Sequence, residues 1–252
     1  MIASRLFPFR RPLDQPRARL LCFPYAGGAA SLYRLWPALL GPAVDVCPVE
    51  LPGRGVRGDE PACRDMAILC AELAQAIEPM LDGTPVALFG HSMGARIAFE
   101  LAHRFDGRIA RLFASGSPAP GTRPRYGPSG DRRPTAGLSD GEFKHRLRAL
   151  GGTPAVILDD DDVMAHVMPV VRADLVLTES YRVEPHTQVA CPITVFSGRA
   201  DPDASPIAAA TWQSRTTRAF RMIEVDAGHF FLDSHRGVLI HEIARELAPD
   251  AR

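Results

Sequence analysis

The sequence is poor in lysine, in clustered cysteine and in long apolar runs, and each shortage excludes a class of function. Only Lys144 is a lysine among 29 basic residues, and it lies in a polar segment, so chemistry through a lysine Schiff base is not expected. The five cysteines are scattered without a C-x-x-C pair or a Cys/His cluster, so we expect no metal site and thiols kept in a reducing compartment. No apolar run approaches the roughly 20 residues that span a membrane, and residues 1–16 lack the apolar stretch of a signal peptide. These absences predict a cytoplasmic protein without membrane contact.

Charge and size point to one globular domain. The 29 acidic residues balance the 29 basic ones, so no net charge favours nucleic acid as a partner. The 252 residues are 46% hydrophobic, which suffices for a single domain, 1–252, with a substantial core. Short apolar runs alternate with helical patterns, which predicts an α/β fold with a mostly parallel central sheet and helices on both faces. The predicted strands are 19–23, 44–51, 86–89, 112–115, 193–197 and 220–225, and the predicted helices outside the lid described below are 32–40, 65–81, 95–104, 206–214 and 234–247.

The most specific signal is the segment V-A-L-F-G-H-S-M-G-A at 86–95. An apolar run leads directly into Gly-His-Ser-Met-Gly, and a helical pattern follows at once. A serine on such a strand-to-helix turn is the nucleophile elbow of α/β-hydrolases, and its flanking glycines leave room for the sharp turn. We therefore predict that Ser92 is a nucleophile that attacks a carbonyl group. A second Gly-x-Ser-x-Gly surrounds Ser139, but no strand precedes it, and Glu142 follows at capping-box spacing, so we interpret Ser139 as a helix cap.

A serine hydroxyl needs a base and an acid that orients the base, and in this fold both follow the serine on loops after strands. Asp201 follows the strand 193–197, with Pro202 stiffening the turn, and His229 follows the strand 220–225. We predict Asp201 as the acid and His229 as the base; Asp203 and Asp226 are the rival acids. The remaining histidines lie in or near helices, except His91, whose side chain should point away from that of the nucleophile. Such a site requires no metal or cofactor.

An oxyanion forms when the nucleophile attacks, and it requires two backbone N–H donors. The N–H of Met93, directly after the nucleophile, is expected to be one of them. The other should come from the loop after the first strand, P-Y-A-G-G at 24–28, whose small residues let the backbone approach a ligand. We assign this second donor to Ala26.

One region, about residues 118–190, interrupts the alternation of strands and helices. It contains two helical patterns, at 140–150 and 162–177, and no convincing strand. In an α/β-hydrolase an insertion at this place lies over the active site, so we interpret it as a helical lid rather than a separate domain. The four aspartates at 159–162 are interpreted as a solvated loop that favours the following helix N-terminus rather than as a metal site.

Together, six motifs resemble the type II thioesterases of polyketide and nonribosomal peptide biosynthesis. They are F-P-Y-A-G-G at 23–28, L-P-G-R at 51–54, F-G-H-S-M-G at 89–94, L-G-G-T-P at 150–154, R-A-D at 172–174 and G-H-F at 228–230. The resemblance implies an α/β-hydrolase with a mobile lid that removes stalled or aberrant acyl groups from a carrier protein. It implies the same triad, Ser92, Asp201 and His229. Tyr25 stands where the family often has histidine, which leaves the substrate contact at this position open.

The resemblance also implies the partner, an acyl or peptidyl carrier protein that bears an acyl-phosphopantetheine group, and we expect the enzyme to act on it as a monomer. Because such carriers are usually acidic, arginines near the lid are candidates for a docking surface, although any one of them can equally be a solvated loop residue. These are Arg54, Arg57, Arg123, Arg125, Arg132 and Arg133. Two alternatives remain open at this point: a carboxylesterase or lactonase that acts on a small-molecule ester, and a non-catalytic scaffold that binds a carrier.

Overall fold

A parallel sheet organises the part of the chain that the computed structural model describes, residues 5–122 and 133–248. Its strands are β1 (Ala18–Phe23), β2 (Val44–Pro48), β3 (Val86–His91), β4 (Ile109–Ser115), β5 (Ile193–Gly198) and β6 (Phe220–Val225). The spatial order is β2-β1-β3-β4-β5-β6, and every neighbouring pair runs parallel. The predicted α/β class and all six strand positions are confirmed. Since all strands point the same way, the loops that follow them meet at one edge of the sheet.

Helices cover both faces of this sheet. They are α1 (Trp36–Leu40), α2 (Met66–Ile77), α3 (Met93–Arg104), α4 (Asp140–Leu150), α5 (Ala155–Leu158), α6 (Asp161–Ser180), α7 (Pro206–Ala209) and α8 (Arg236–Leu247). Three predicted helices are clearly shorter than expected. The segment 65–81 is α-helical only to Ile77 and continues as a 3₁₀ turn to Met80. The segment 32–40 divides into a 3₁₀ turn and α1, because Pro37 lacks the N–H that would continue a helix through this point. The segment 206–214 likewise changes from α to 3₁₀ geometry after Ala209.

The core consists of two apolar layers, one on each side of the sheet. Consecutive residues of β3 show this directly, because Leu88 packs in one cluster and Phe89 in the other. Leu88 shares its layer with Leu73 of α2 and Phe99 of α3, whereas Phe89 packs against Trp36 of α1. Both faces of β3 are therefore buried, which explains why its sequence is continuously apolar rather than alternating.

Between β4 and β5, the described chain forms the three helices α4, α5 and α6, which share an apolar cluster of their own. Helix α4 begins at a capping box in which Ser139 accepts from the Glu142 N–H and the Glu142 carboxylate accepts in return, so the interpretation of Ser139 as a cap is confirmed. Asp160 caps the N-terminus of helix α6, and its carboxylate accepts from the Val163 N–H. The short helix α5 has no counterpart in the sequence prediction. In residues 5–122 and 133–248, no helix combines the length and apolarity needed to cross a membrane.

Candidate active site

Ser92 lies on a strained turn between β3 and α3. Its φ of +54° falls in the region that favours glycine, and it is the one non-glycine residue with positive φ in the described chain. Glycine is required at the positions two residues before and after Ser92, because nearby backbone atoms leave no room there for a Cβ. A Cβ at Gly90 would collide with the Gly94 carbonyl, and a Cβ at Gly94 would collide with the Phe23 carbonyl. This local geometry is that of a nucleophile elbow, with the serine hydroxyl raised at the carboxyl edge of the sheet.

The loops after β5 and β6 bring Asp201 and His229 into contact. The N–H groups of Arg199 and Ala200 donate to the carbonyls of Val225 and Ala227, which ties the two loops together. The His229 imidazole bonds through Nδ1 to Asp201 Oδ2 at 2.7 Å. Asp201 Oδ1 accepts from the N–H groups of residues 203 and 204, each at 2.9 Å. The carboxylate is therefore fixed at both oxygens before any substrate arrives.

Asp201 is buried, at 2% exposure, yet it is held in its charged form. Burial opposes ionisation, but the hydrogen bond and charge of His229, together with the two backbone N–H donors, outweigh burial and lower the pKa of Asp201. An ionised carboxylate at Nδ1 fixes the proton on that nitrogen and leaves Nε2 of His229 as the basic atom. His229 is thus arranged to accept a proton on the side away from Asp201.

Ser92, His229 and Ala26 all line one cavity of about 130 Å³. Among the described residues, no hydrogen bond joins the Ser92 hydroxyl to the His229 imidazole. Such contacts are often long in the absence of substrate and shorten when it binds. The structure therefore places the predicted nucleophile and base on one cavity, with the predicted acid directly behind the base.

The two predicted oxyanion donors come from different segments, the start of α3 and the loop after β1. Met93 is the first residue of α3, and the N–H groups of a first helical turn have no acceptor within the helix. Ala26 lines the cavity from the loop after β1, in a turn closed by a bond from the Gly28 N–H to the Tyr25 carbonyl at 2.9 Å. Tyr25 also lines the cavity and packs edge-on against Phe230 at 5.3 Å.

His91 is fully buried, with its Nδ1 2.9 Å from Ser115 Oγ. Its ring centroid lies 5.2 Å from that of His229 and 5.2 Å from that of Phe231. Burial, with the neighbouring His229, lowers the pKa of His91 to about 3, so the ring is neutral near pH 7. His91 thus packs against the base without adding a charge.

The far side of the cavity is built by α4 and α6. Their apolar contributions are Leu147, Leu150, Val171 and Leu175. Three buried or nearly buried charged groups complete this wall. Arg96 of α3 donates to the Thr178 carbonyl at 3.3 Å, and an Arg146 nitrogen lies 3.7 Å from a Glu179 carboxylate oxygen. The cavity therefore has a mostly apolar wall that also carries charge.

Sequence reasoning missed the contacts that join the helices α4–α6 to the site. Asp174 of α6 accepts a hydrogen bond from the Gly27 N–H, in the same loop as Ala26. Gly152 packs so closely on Phe230, beside the base, that a Cβ there would collide with the ring. Both residues lie within motifs noted in the sequence, R-A-D and L-G-G-T-P, but spacing alone could not pair them with distant loops.

The proposed arginine docking surface is wrong in part. Arg54 is 8% exposed and paired with Asp174, and Arg57 is 5% exposed and paired with Glu60 and Glu72, so neither presents its charge to a partner. Arg133 is exposed and bonded to Glu142. The remaining candidates, Arg123, Arg125 and Arg132, lie outside the described residues.

Comparison with known proteins is consistent with this geometry. The thioesterase domain family matches residues 18–247. A probable cadicidin biosynthesis thioesterase of Streptomyces griseus is 35% identical over 98% of this chain and 67% of its own length. The prodiginine pathway thioesterase RedJ of Streptomyces coelicolor superposes with a TM-score of 0.80 and 38% identity, covering 96% of this chain and 93% of its own. The type II thioesterase BorB from the borrelidin cluster gives a TM-score of 0.82 and 36% identity, covering 94% and 95%. The resemblance to type II thioesterases is thereby confirmed.

Proposed function

The chain belongs to the thioesterase family, and from this premise we propose that it hydrolyses the thioester between an acyl or peptidyl group and the phosphopantetheine arm of a carrier protein. The observation that carries the proposal is the meeting of the Ser92 elbow and the Asp201–His229 pair at one cavity. The names of two relatives indicate the kind of pathway in which it acts, since RedJ comes from a prodiginine pathway and BorB from a borrelidin cluster. The role proposed for it in such a pathway is the removal of stalled or aberrant acyl units.

The proposed reaction begins when the Ser92 oxygen attacks the thioester carbonyl and its proton passes to Nε2 of His229. The tetrahedral intermediate collapses, the carbon–sulfur bond breaks, and the departing pantetheine sulfur takes the proton from His229. Water then attacks the acyl-serine with the same imidazole as base, releasing the free acid and restoring the hydroxyl. Asp201 stabilises the imidazolium in both halves and keeps its Nδ1 protonated.

The N–H groups of Ala26 and Met93 are proposed to hold the oxyanion in both tetrahedral intermediates. A preorganised donor of this kind contributes about 100-fold or more in turnover. The helices α4–α6 are proposed to act as the lid of the acyl cavity, because side chains of α4 and α6 line it. The enzyme is proposed to act as a monomer on an acyl or peptidyl carrier.

A substrate comparison tests this function. The same propionyl group is offered on a holo carrier protein, on N-acetylcysteamine and as its p-nitrophenyl ester, and kcat/KM is measured for each. The proposal predicts that the carrier thioester gives the highest value. Preference for the oxygen ester would identify a carboxylesterase instead. Absence of turnover on all three, with no labelling by a fluorophosphonate, would identify a non-catalytic carrier-binding scaffold.

A further inference from the structure

A buried ion pair next to the site joins the helix α6 to the segment after β2. Asp174 of α6 is 2% exposed, and Arg54, from the segment after β2, is 8% exposed. The contact is bidentate, with Arg54 Nη1 2.6 Å from Asp174 Oδ2 and Nη2 2.7 Å from Oδ1. Two parallel hydrogen bonds between a guanidinium and a carboxylate fix the relative orientation of the two groups as well as their distance.

The same carboxylate also holds the loop that carries Ala26. Asp174 Oδ2 accepts from the Gly27 N–H at 2.7 Å, and Arg54 Nη1 donates to the Gly28 carbonyl at 3.1 Å. Gly27 has a φ of +78°, and a Cβ there would lie 2.7 Å from a methyl of Val171, so α6 packs directly on the loop backbone. The pair therefore binds two peptide units of this loop, the one between Ala26 and Gly27 and the one that follows Gly28.

We propose that Asp174 is a positioning residue that fixes the loop 25–28 so that the Ala26 N–H faces the oxyanion. The inference rests on the proposed function. Because a peptide unit is planar, holding the Gly27 N–H fixes the plane that directly follows Ala26. Asp174 lies behind this loop and acts through the Gly27 N–H, without touching the acyl group. Its helix neighbours Val171 and Leu175 line the cavity, so the element that contacts the acyl group also sets the oxyanion site.

The competing explanation is that the pair only holds α6 in place. Double variants can separate the charge of Asp174 from its role as hydrogen-bond acceptor for the Gly27 N–H. Removing both partners of a buried ion pair leaves no unpaired charge and is often neutral for stability. Two double variants serve this purpose: Arg54→Met with Asp174→Asn, and Arg54→Met with Asp174→Leu. Asparagine and leucine have nearly the same shape, but only asparagine retains an oxygen for the Gly27 N–H.

Steady-state kinetics on the propionyl carrier thioester compares these variants. We expect the asparagine double variant to keep kcat within about threefold of wild type. The leucine double variant should lose about tenfold to 100-fold in kcat with little change in KM, because a misplaced oxyanion donor affects the transition state more than substrate binding. Equal kcat for the two variants would overturn the inference.

Asp45→Asn is the matched control, since Asp45 is a buried, ion-paired carboxylate at the start of β2. This substitution should lower Tm and leave kcat unchanged.

A second readout uses an alkyl trifluoromethyl ketone, which forms a charged tetrahedral adduct with a serine nucleophile. Its inhibition constant should rise in the leucine variant by the same factor as kcat falls, while affinity for a non-reactive thioether of the same acyl length stays constant. If the leucine variant does not fold, amide hydrogen exchange of wild-type Gly27 tests the contact on which the inference rests. This residue is solvent-exposed, so slow exchange of its N–H supports the bond to Asp174, and rapid exchange contradicts it. Wild-type turnover of the carrier thioester is measured alongside, so its absence would refute the proposed function rather than this inference.

Discussion

The variant Asp201→Asn tests the hydrogen-bond arrangement around His229. Oδ1 of Asp201 accepts two backbone N–H groups, and Oδ2 faces His229 Nδ1. An asparagine must place its amide oxygen at the Oδ1 position, because an NH₂ group there would face two donors. Its NH₂ group then faces Nδ1 and requires that nitrogen to accept, which moves the imidazole proton to Nε2. In that tautomer Nε2 cannot take the proton of Ser92.

We expect this change to lower kcat by roughly 10⁴-fold, about 5.5 kcal/mol, with KM nearly unchanged, because the wrong tautomer disables the base and leaves the cavity intact. The assay is hydrolysis of propionyl-N-acetylcysteamine, followed through the released thiol. Asp226→Asn, at the exposed rival acid, is the control and should retain full activity. A loss below tenfold for Asp201→Asn, or an equal loss for Asp203→Asn, would refute the assignment of the acid.

Three further predictions concern residues around the site. The pKa of His91 is about 3 in the folded protein and about 6.5 in the unfolded chain, so acid protonates the unfolded chain first. Between about pH 6 and 4, the free energy of unfolding measured with urea should therefore fall by roughly 1.4 kcal/mol per pH unit more in wild type than in His91→Asn. Equal pH dependence of the two proteins would contradict this. Arg96→Met should raise the ratio of kcat/KM for an octanoyl thioester to kcat/KM for an acetyl thioester about tenfold, because the apolar chain no longer desolvates a guanidinium. An unchanged ratio would argue against the cavity wall described above. Ser139→Ala should lower the free energy of unfolding by about 1 kcal/mol through loss of the α4 cap, while fluorophosphonate labelling stays complete; reduced labelling would contradict its structural role.

Much of this fold follows from local sequence patterns. The strands are mostly apolar, although β6 also carries Arg221 and Glu224, and the elbow at Ser92 is marked by glycines that the backbone contacts require. The contact between Asp201 and His229 could be anticipated because parallel strands place the loops that follow them at one edge of the sheet. Local sequence patterns were therefore sufficient to predict the strands and the site residues in the loops that follow them.

The contacts of α4–α6 could not be predicted in this way. Arg54 and Asp174 are 120 residues apart, and nothing in either segment indicates that the two charges neutralise each other in the interior. An arginine in a polar loop therefore gave the wrong expectation of an exposed docking group. The helix α5 has four residues, too few to show a helical period, so its position depends on packing against α4 and α6.

The most direct test of the central claim is the mass of a propionyl-loaded carrier protein after incubation with wild type and with Ser92→Ala. We predict that wild type removes the propionyl group, leaving the holo carrier, and that the variant lowers this rate by roughly 10⁶-fold at an unchanged Tm. Release of the propionyl group by a folded Ser92→Ala protein at a rate near that of wild type would contradict it.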